Sequence, residues 1–148
     1  MSFSPTQQAE LLVNMAAICN HYASDKNFKE ASPEELTFAA GKLASMKAST
    51  IDLRSTAEKA FDDAEREYKA TKGRVFQALR AESKSAADAQ VLMYMNDDVL
   101  AASEATDKAK ANFNKLRSFI SDVHDLIESI RSRTIELNGS RKDESIGK

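Results

Sequence analysis

Six basic side chains fall between Arg66 and Lys84: Arg66, Lys69, Lys72, Arg74, Arg80 and Lys84. Only Glu67 and Glu82 oppose them in that stretch. Such a run can do one kind of chemistry well. Ammonium and guanidinium groups neutralise phosphates, and their contributions add with the number of contacts. Tyr68 and Phe76 are interleaved with the cations and offer flat faces on which bases can stack. The same pattern also suits an ordinary solvated helix face, and both readings stand at this point. The charge is local, because the whole chain has 21 basic and 23 acidic residues and a net charge of -2. No global basic field steers polyanions toward it. The segment from Ser85 to Lys108 is acidic, with Asp88, Asp97, Asp98, Glu104 and Asp107 against Lys108 alone. Arg131, Arg133, Arg141 and Lys142 form a second basic group near the end of the chain.

Groups for catalysis or metal binding are sparse. There are two histidines, His21 and His124, and one cysteine, Cys19. No Cys-x-x-Cys, His-Glu-x-x-His or glycine-rich phosphate loop occurs. Cys19 lies in the apolar run LLVNMAAIC, which suits a small buried hydrophobe better than a nucleophile. A lone cysteine forms no intramolecular disulfide, so a reducing, cytoplasmic compartment is expected. Asp62, Asp63 and Glu65 share their place with Lys59 and Arg66 at helical salt-bridge spacing, which makes them a solvated face. Asp97 and Asp98 suit the positive start of a helix better than a metal site. The expectation is a protein that is not an enzyme, with no catalytic residue, no metal and no cofactor.

Long helices must carry these residues. The 148 residues include only four glycines and two prolines, so there are few turns. One helical domain over 1–138 is expected, with an all-α fold: a short helix over 6–22, then two long helices over 33–82 and 97–137. Ser4 caps the first helix and Pro5 fits its first turn. SDKNFKEAS reads as a loop. Ser32, Pro33 and Glu35 form a capping box for the second helix. Gly41 and Gly73 weaken that helix without ending it. Leu36, Leu43, Thr50, Ala57, Ala64, Thr71 and Ala78 recur every seven residues in a seam thin enough for close helix approach. A phase shift after Phe61 predicts a bend there. AESKSAADAQVLMYMND, from Ala81 to Asp97, reads as a connector with a short helical turn, and a small strand over VLMYM is the alternative. Asn96 or Asp97 caps the third helix. Gly139 predicts its end, with a disordered tail over 139–148.

The third helix carries more apolar surface than one thin seam covers. In FNKLRSFISDVHDLIESIRSRTIEL, residues 113, 116, 120, 123, 127, 130, 134 and 137 alternate steps of three and four. At about 1.5 Å per residue the helix is about 60 Å long, and it pairs with the second helix as an antiparallel, coiled-coil-like hairpin. Leu116, Phe119, Val123, Leu126 and Ile130 form a second seam beside the first. A helix with two adjacent seams touches two neighbours. The first helix can supply one; a second copy of the chain equally can. The long hairpin favours self-association, so a homo-oligomer with this seam as its interface is expected. No apolar run reaches the ~20 residues of a membrane span, and MSFSPTQQ lacks a signal-peptide layout, so no membrane partner is expected.

From about Arg66 to Leu137 the chain resembles the UvsY-type recombination mediator proteins of T-even-like bacteriophages. The resemblance is carried by Lys84-Ser85 after a basic long helix, by DDVL (Asp97 to Leu100) opening the next helix, and by SRTIEL (Ser132 to Leu137) closing it. Lys72-Gly73-Arg74, with Arg66 and Lys69 upstream, stands where the family has a Lys-x-Arg DNA-binding pattern. The resemblance implies an all-helical, homo-oligomeric protein of the infected host's cytoplasm. It implies binding of single-stranded DNA, and help in loading a RecA-like recombinase onto strands covered by single-strand-binding protein. The alternative is a coiled-coil scaffold or adaptor that binds a protein partner and no DNA.

Overall fold

Ser4 and Ser32 each start a helix by the same device. The Ser4 hydroxyl accepts from the Gln7 amide at 3.2 Å while the Gln7 side chain accepts from the Ser4 amide at 2.9 Å. Ser32 and Glu35 repeat the exchange at 3.2 and 2.7 Å. Two of the orphan amides at each helix start are thereby satisfied, and proline follows each cap where it has no amide to lose. The computed structural model describes residues 3–147. Within them the chain is all-α. The helices are α1 (Pro5–Ala23), α2 (Asp25–Glu30), α3 (Pro33–Ser49), α4 (Ile51–Ala81), α5 (Ala86–Tyr94) and α6 (Asp97–Ile146). No helix among the described residues is long and apolar enough to cross a membrane.

Several boundaries differ from the expectation. The segment expected as a loop contains α2, pinned by Asn27, whose side-chain amide donates to the His21 carbonyl at 2.9 Å. The helix expected over 33–82 is interrupted at Thr50, and not near Phe61. Thr50 is fully buried, and its hydroxyl and amide both turn back to the Lys47 carbonyl, at 2.6 and 3.0 Å. A β-branched hydroxyl residue that takes a local carbonyl breaks the regular ladder there. The connector forms α5, so VLMYM is helical and not a strand. At the other end, α6 runs through Gly139 to Ile146, and the disordered tail expected over 139–148 is corrected accordingly. Gly139 keeps an ordinary negative φ, and Arg141 reaches Glu34 at 3.0 Å, which ties the last turns to α3. Met1, Ser2 and Lys148, parts of the expected domain and tail, lie outside the described residues.

Where one domain was expected over 1–138, the chain forms two compact units, Met1–Leu53 with Arg117–Lys148 and Arg54–Leu116. In the first unit α1, α3 and the later part of α6 enclose Met15, Leu36, Leu43, Val123, Ile127 and Ile130, all at most 3% exposed. Here α3 and α6 run antiparallel, since Lys47 meets His124 and Glu34 meets Arg141. Four of the five residues expected at an oligomer interface lie in or against this core. Val123 and Ile130 are completely buried, and Phe119 and Leu126 pack on the same core. The core they join takes its other residues from α1 and α3 of the same chain. Leu116, the fifth residue, belongs to the other unit and is half-buried.

In the second unit α4 and the early part of α6 are also antiparallel. The Phe61 and Phe113 rings stack at 6.4 Å, and the Thr106 hydroxyl donates to the Ala64 carbonyl at 3.1 Å. The buried residues are mostly small: Ala57, Thr71, Ala89, Met93 and Val99. The seven-residue seam predicted by the sequence is therefore buried at Leu36, Leu43, Thr50, Ala57 and Thr71. Ala89 and Met93 face inward from α5, while Val91, Leu92, Tyr94 and Met95 stay exposed.

Candidate nucleic-acid interface

α4 runs to Ala81 on a sequence rich in Ala, Arg, Lys and Glu, all strong helix formers, with Ala57 and Thr71 buried along its inner side. Its end is sharply defined. Ser83 adopts a left-handed conformation, φ 65°. Its amide donates to the Arg80 carbonyl at 3.1 Å, and the Lys84 amide reaches the Leu79 carbonyl at 3.4 Å. This is the Schellman arrangement, with serine in the place that glycine usually takes. Arg80 adds a bond from its guanidinium to the Lys84 carbonyl at 3.0 Å. Ser85 then caps α5 by accepting from the Asp88 amide at 3.1 Å.

The six basic residues do not act as one patch. At about 100° per residue, Arg66, Lys69, Lys72 and Arg80 fall within about a third of the helix circumference. Arg74 lies on the other flank. There it reaches Glu67 at 2.9 Å and the Thr71 hydroxyl at 3.1 Å, beside a groove lined by Val75, Ala78, Asp98 and Ala102. The hydrogen bond from Arg74, then that from Thr71, then the charge of Arg74 hold the Glu67 carboxyl below the usual range. Arg74 is thus already neutralised by its own helix. Arg66 has a looser partner, Asp63 at 3.4 Å. Among the described residues no carboxylate lies within ion-pair distance of Lys69, Lys72 or Lys84. Lys84 sits in the turn after the helix.

Lys72 is held differently from the rest. Its ammonium lies 4.3 Å from the centre of the Tyr68 ring and 5.9 Å from that of Tyr94. The ring quadrupole attracts the cation without cancelling its charge. Tyr94 was not among the site residues expected from the sequence, where it fell in the VLMYM run of the connector. The signal for it was the run itself: five consecutive large side chains on a short helix cannot all face one core. Phe76, the other aromatic of the basic stretch, is half-buried.

Cys19, Tyr22 and the two histidines lie in the first unit. Burial first, and then the Asp122 charge, push the Cys19 thiol above its ordinary value, away from the thiolate a nucleophile needs. Lys47 donates to the His124 ring nitrogen Nδ1 at 3.0 Å, which ties α3 to α6. His21 meets Tyr22 edge to face at 4.8 Å. Tyr22 is pushed upward by burial and by Glu35. These contacts hold helices together. Against family models, curated proteins and solved structures, the chain has no match.

Proposed function

We propose that this chain binds single-stranded DNA along α4 and acts, without catalysis, as a mediator that helps load a RecA-like recombinase onto strands covered by single-strand-binding protein. The observation that carries the DNA-binding part is the uncompensated stripe of Lys69 and Lys72, flanked by Arg66 and Arg80, beside the half-buried Tyr68 and the exposed Tyr94. The partner proteins are proposed from the family resemblance. Each cation that meets a phosphate releases a condensed counterion, so affinity comes from several weak and reversible contacts. Such contacts suit a strand that must be passed on. A homo-oligomer would repeat the stripe and multiply its charge, and that assembly is part of the proposal.

Fluorescence anisotropy of a labelled oligo-dT, at low and moderate salt, tests it. Binding should weaken steeply with salt. The double variant Lys69→Glu, Lys72→Glu should bind at least tenfold more weakly and flatten the salt slope by about 1.4, since each single-strand phosphate contact contributes about 0.7. Arg131→Glu, at a basic position of the other compact unit, should behave as the parent. Flat anisotropy at low salt from folded protein overturns the reading.

One observation favours a second reading. Val91 and Tyr94 on α5 and Met95 at its C-cap are 61, 49 and 69% exposed. An apolar face of this kind suits an adaptor that docks a protein partner and ignores DNA. That reading survives if oligo-dT does not bind.

A further inference from the structure

We infer that Tyr68, Lys72 and Tyr94 form a base-stacking clamp, so that the connector helix α5 belongs to the DNA interface and selects unpaired bases. The inference rests on the DNA-binding reading above. Three observations carry it. First, a single ammonium bridges rings from two different helices, 4.3 Å from Tyr68 and 5.9 Å from Tyr94. Second, Tyr94 is not a core residue. The inward face of α5 is made by Ala89 and Met93, at 0 and 7% exposure, while Tyr94 is 49% exposed. Third, among the described residues no carboxylate lies within ion-pair distance of Lys72, so its charge is held only by ring faces.

That arrangement can exchange partners. A phosphate oxygen accepts a charge-assisted hydrogen bond that a ring face cannot match. The lysine stem has four rotatable carbons, so the ammonium can leave the rings for a phosphate while its Cα stays fixed. The faces it vacates, one on the half-buried Tyr68 and one on the exposed Tyr94, are flat, and a nucleobase can stack on them. No atom is transferred; one weak contact is replaced by two others. Phosphate contacts alone do not distinguish a single strand from a duplex. Stacking does, because paired bases keep their faces inside the helix. Tyr68 and Tyr94 would therefore set selectivity, while Lys69, Arg66 and Arg80 set the salt-dependent part of the affinity.

The test measures anisotropy of labelled oligo-dT and of a duplex of equal length, across a salt series, with circular dichroism confirming the fold of each variant. Tyr94→Ala should weaken oligo-dT binding about tenfold, within the range expected for one stacked base. Its salt slope and its duplex affinity should stay at the parent values. Tyr94→Phe should retain binding, since stacking needs the ring and not the hydroxyl. Lys72→Ala should weaken binding and reduce the slope by about 0.7. A Tyr94→Ala protein that binds oligo-dT as the parent does, or loses duplex binding equally, overturns the clamp and leaves the DNA-binding reading standing. A parent protein that binds no oligo-dT overturns both. A second readout does not depend on Tyr94→Ala folding. The chain has three tyrosines and no tryptophan, so in Tyr22→Phe protein only Tyr68 and Tyr94 emit. Saturating oligo-dT should quench that emission, and unchanged emission at saturation overturns the clamp.

Discussion

The two compact units are built from different side chains. The first encloses Met15, Leu36, Leu43, Val123, Ile127 and Ile130 between three helices. The second buries Ala57, Thr71, Ala89, Met93 and Val99. Large aliphatic side chains remove much apolar surface from water, and small ones let helices approach closely while burying little. One unit is therefore a core in the ordinary sense. The other is a thin seam that supports an outward face, and the candidate site sits on that face. A protein can separate stability from recognition in this way: the binding surface changes little in packing when its charges are altered.

The sharpest way to break this comparison is to truncate one buried side chain in each unit. Ile130→Ala should cost about 2–5 kcal/mol, because Ile130 is completely enclosed and a cavity would remain. Val99→Ala, at the corresponding depth in the second unit, removes two methyl groups and should cost about 1–2 kcal/mol. Urea denaturation followed by circular dichroism measures both. Equal losses would show that the thin seam carries as much of the stability as the larger core.

Ser83→Gly comes next. It relieves a left-handed serine at the end of α4 and should raise stability by about 1 kcal/mol. A lower melting temperature would mean that the serine is held there by contacts worth more than its backbone strain. The double change Val91→Ser, Met95→Ser should alter stability by less than about 0.5 kcal/mol, since both side chains are exposed. A large loss would place the outer face of α5 in a packed interface in solution.

The smallest expected effect is a pH dependence. Glu67 and Glu34 each titrate below the ordinary range. For Glu67 the chief cause is the Arg74 hydrogen bond, and for Glu34 it is a bond to its own backbone, followed by Arg141. A depressed folded value means stability that is present above the unfolded pKa and fades as pH falls through the folded one. The loss should therefore appear only below about pH 4.5. Both groups are exposed, so it should be slight. Glu67→Gln and Glu34→Gln should each flatten the acid limb of a melting-temperature profile. A limb unchanged in both would mean that the two arginine contacts do not persist in solution.

Much of the helical framework was legible in the sequence. Ser4-Pro5 and Ser32-Pro33-Glu35 announce helix starts, because a capping hydroxyl and a proline satisfy local backbone needs whatever lies elsewhere. The heptad from Leu36 to Thr71 and the alternating steps from Phe113 to Leu137 mark the faces that must be covered, because 3.6 residues per turn fix which side chains share a side. The basic stretch of α4 was legible for the same reason. Three things were decided only by the tertiary structure. The second seam of α6 joins a core with α1 and α3, a choice that periodicity cannot make, since an apolar stripe accepts any apolar partner. Arg74 is paired with Glu67 and hydrogen-bonded to Thr71, whereas Lys72 rests on two tyrosine rings. That difference depends on side-chain geometry and, for Tyr94, on where a separate helix lies. The continuation of α6 through Gly139, where the Arg141–Glu34 contact joins its last turns to α3, goes against the stop signal of a single glycine.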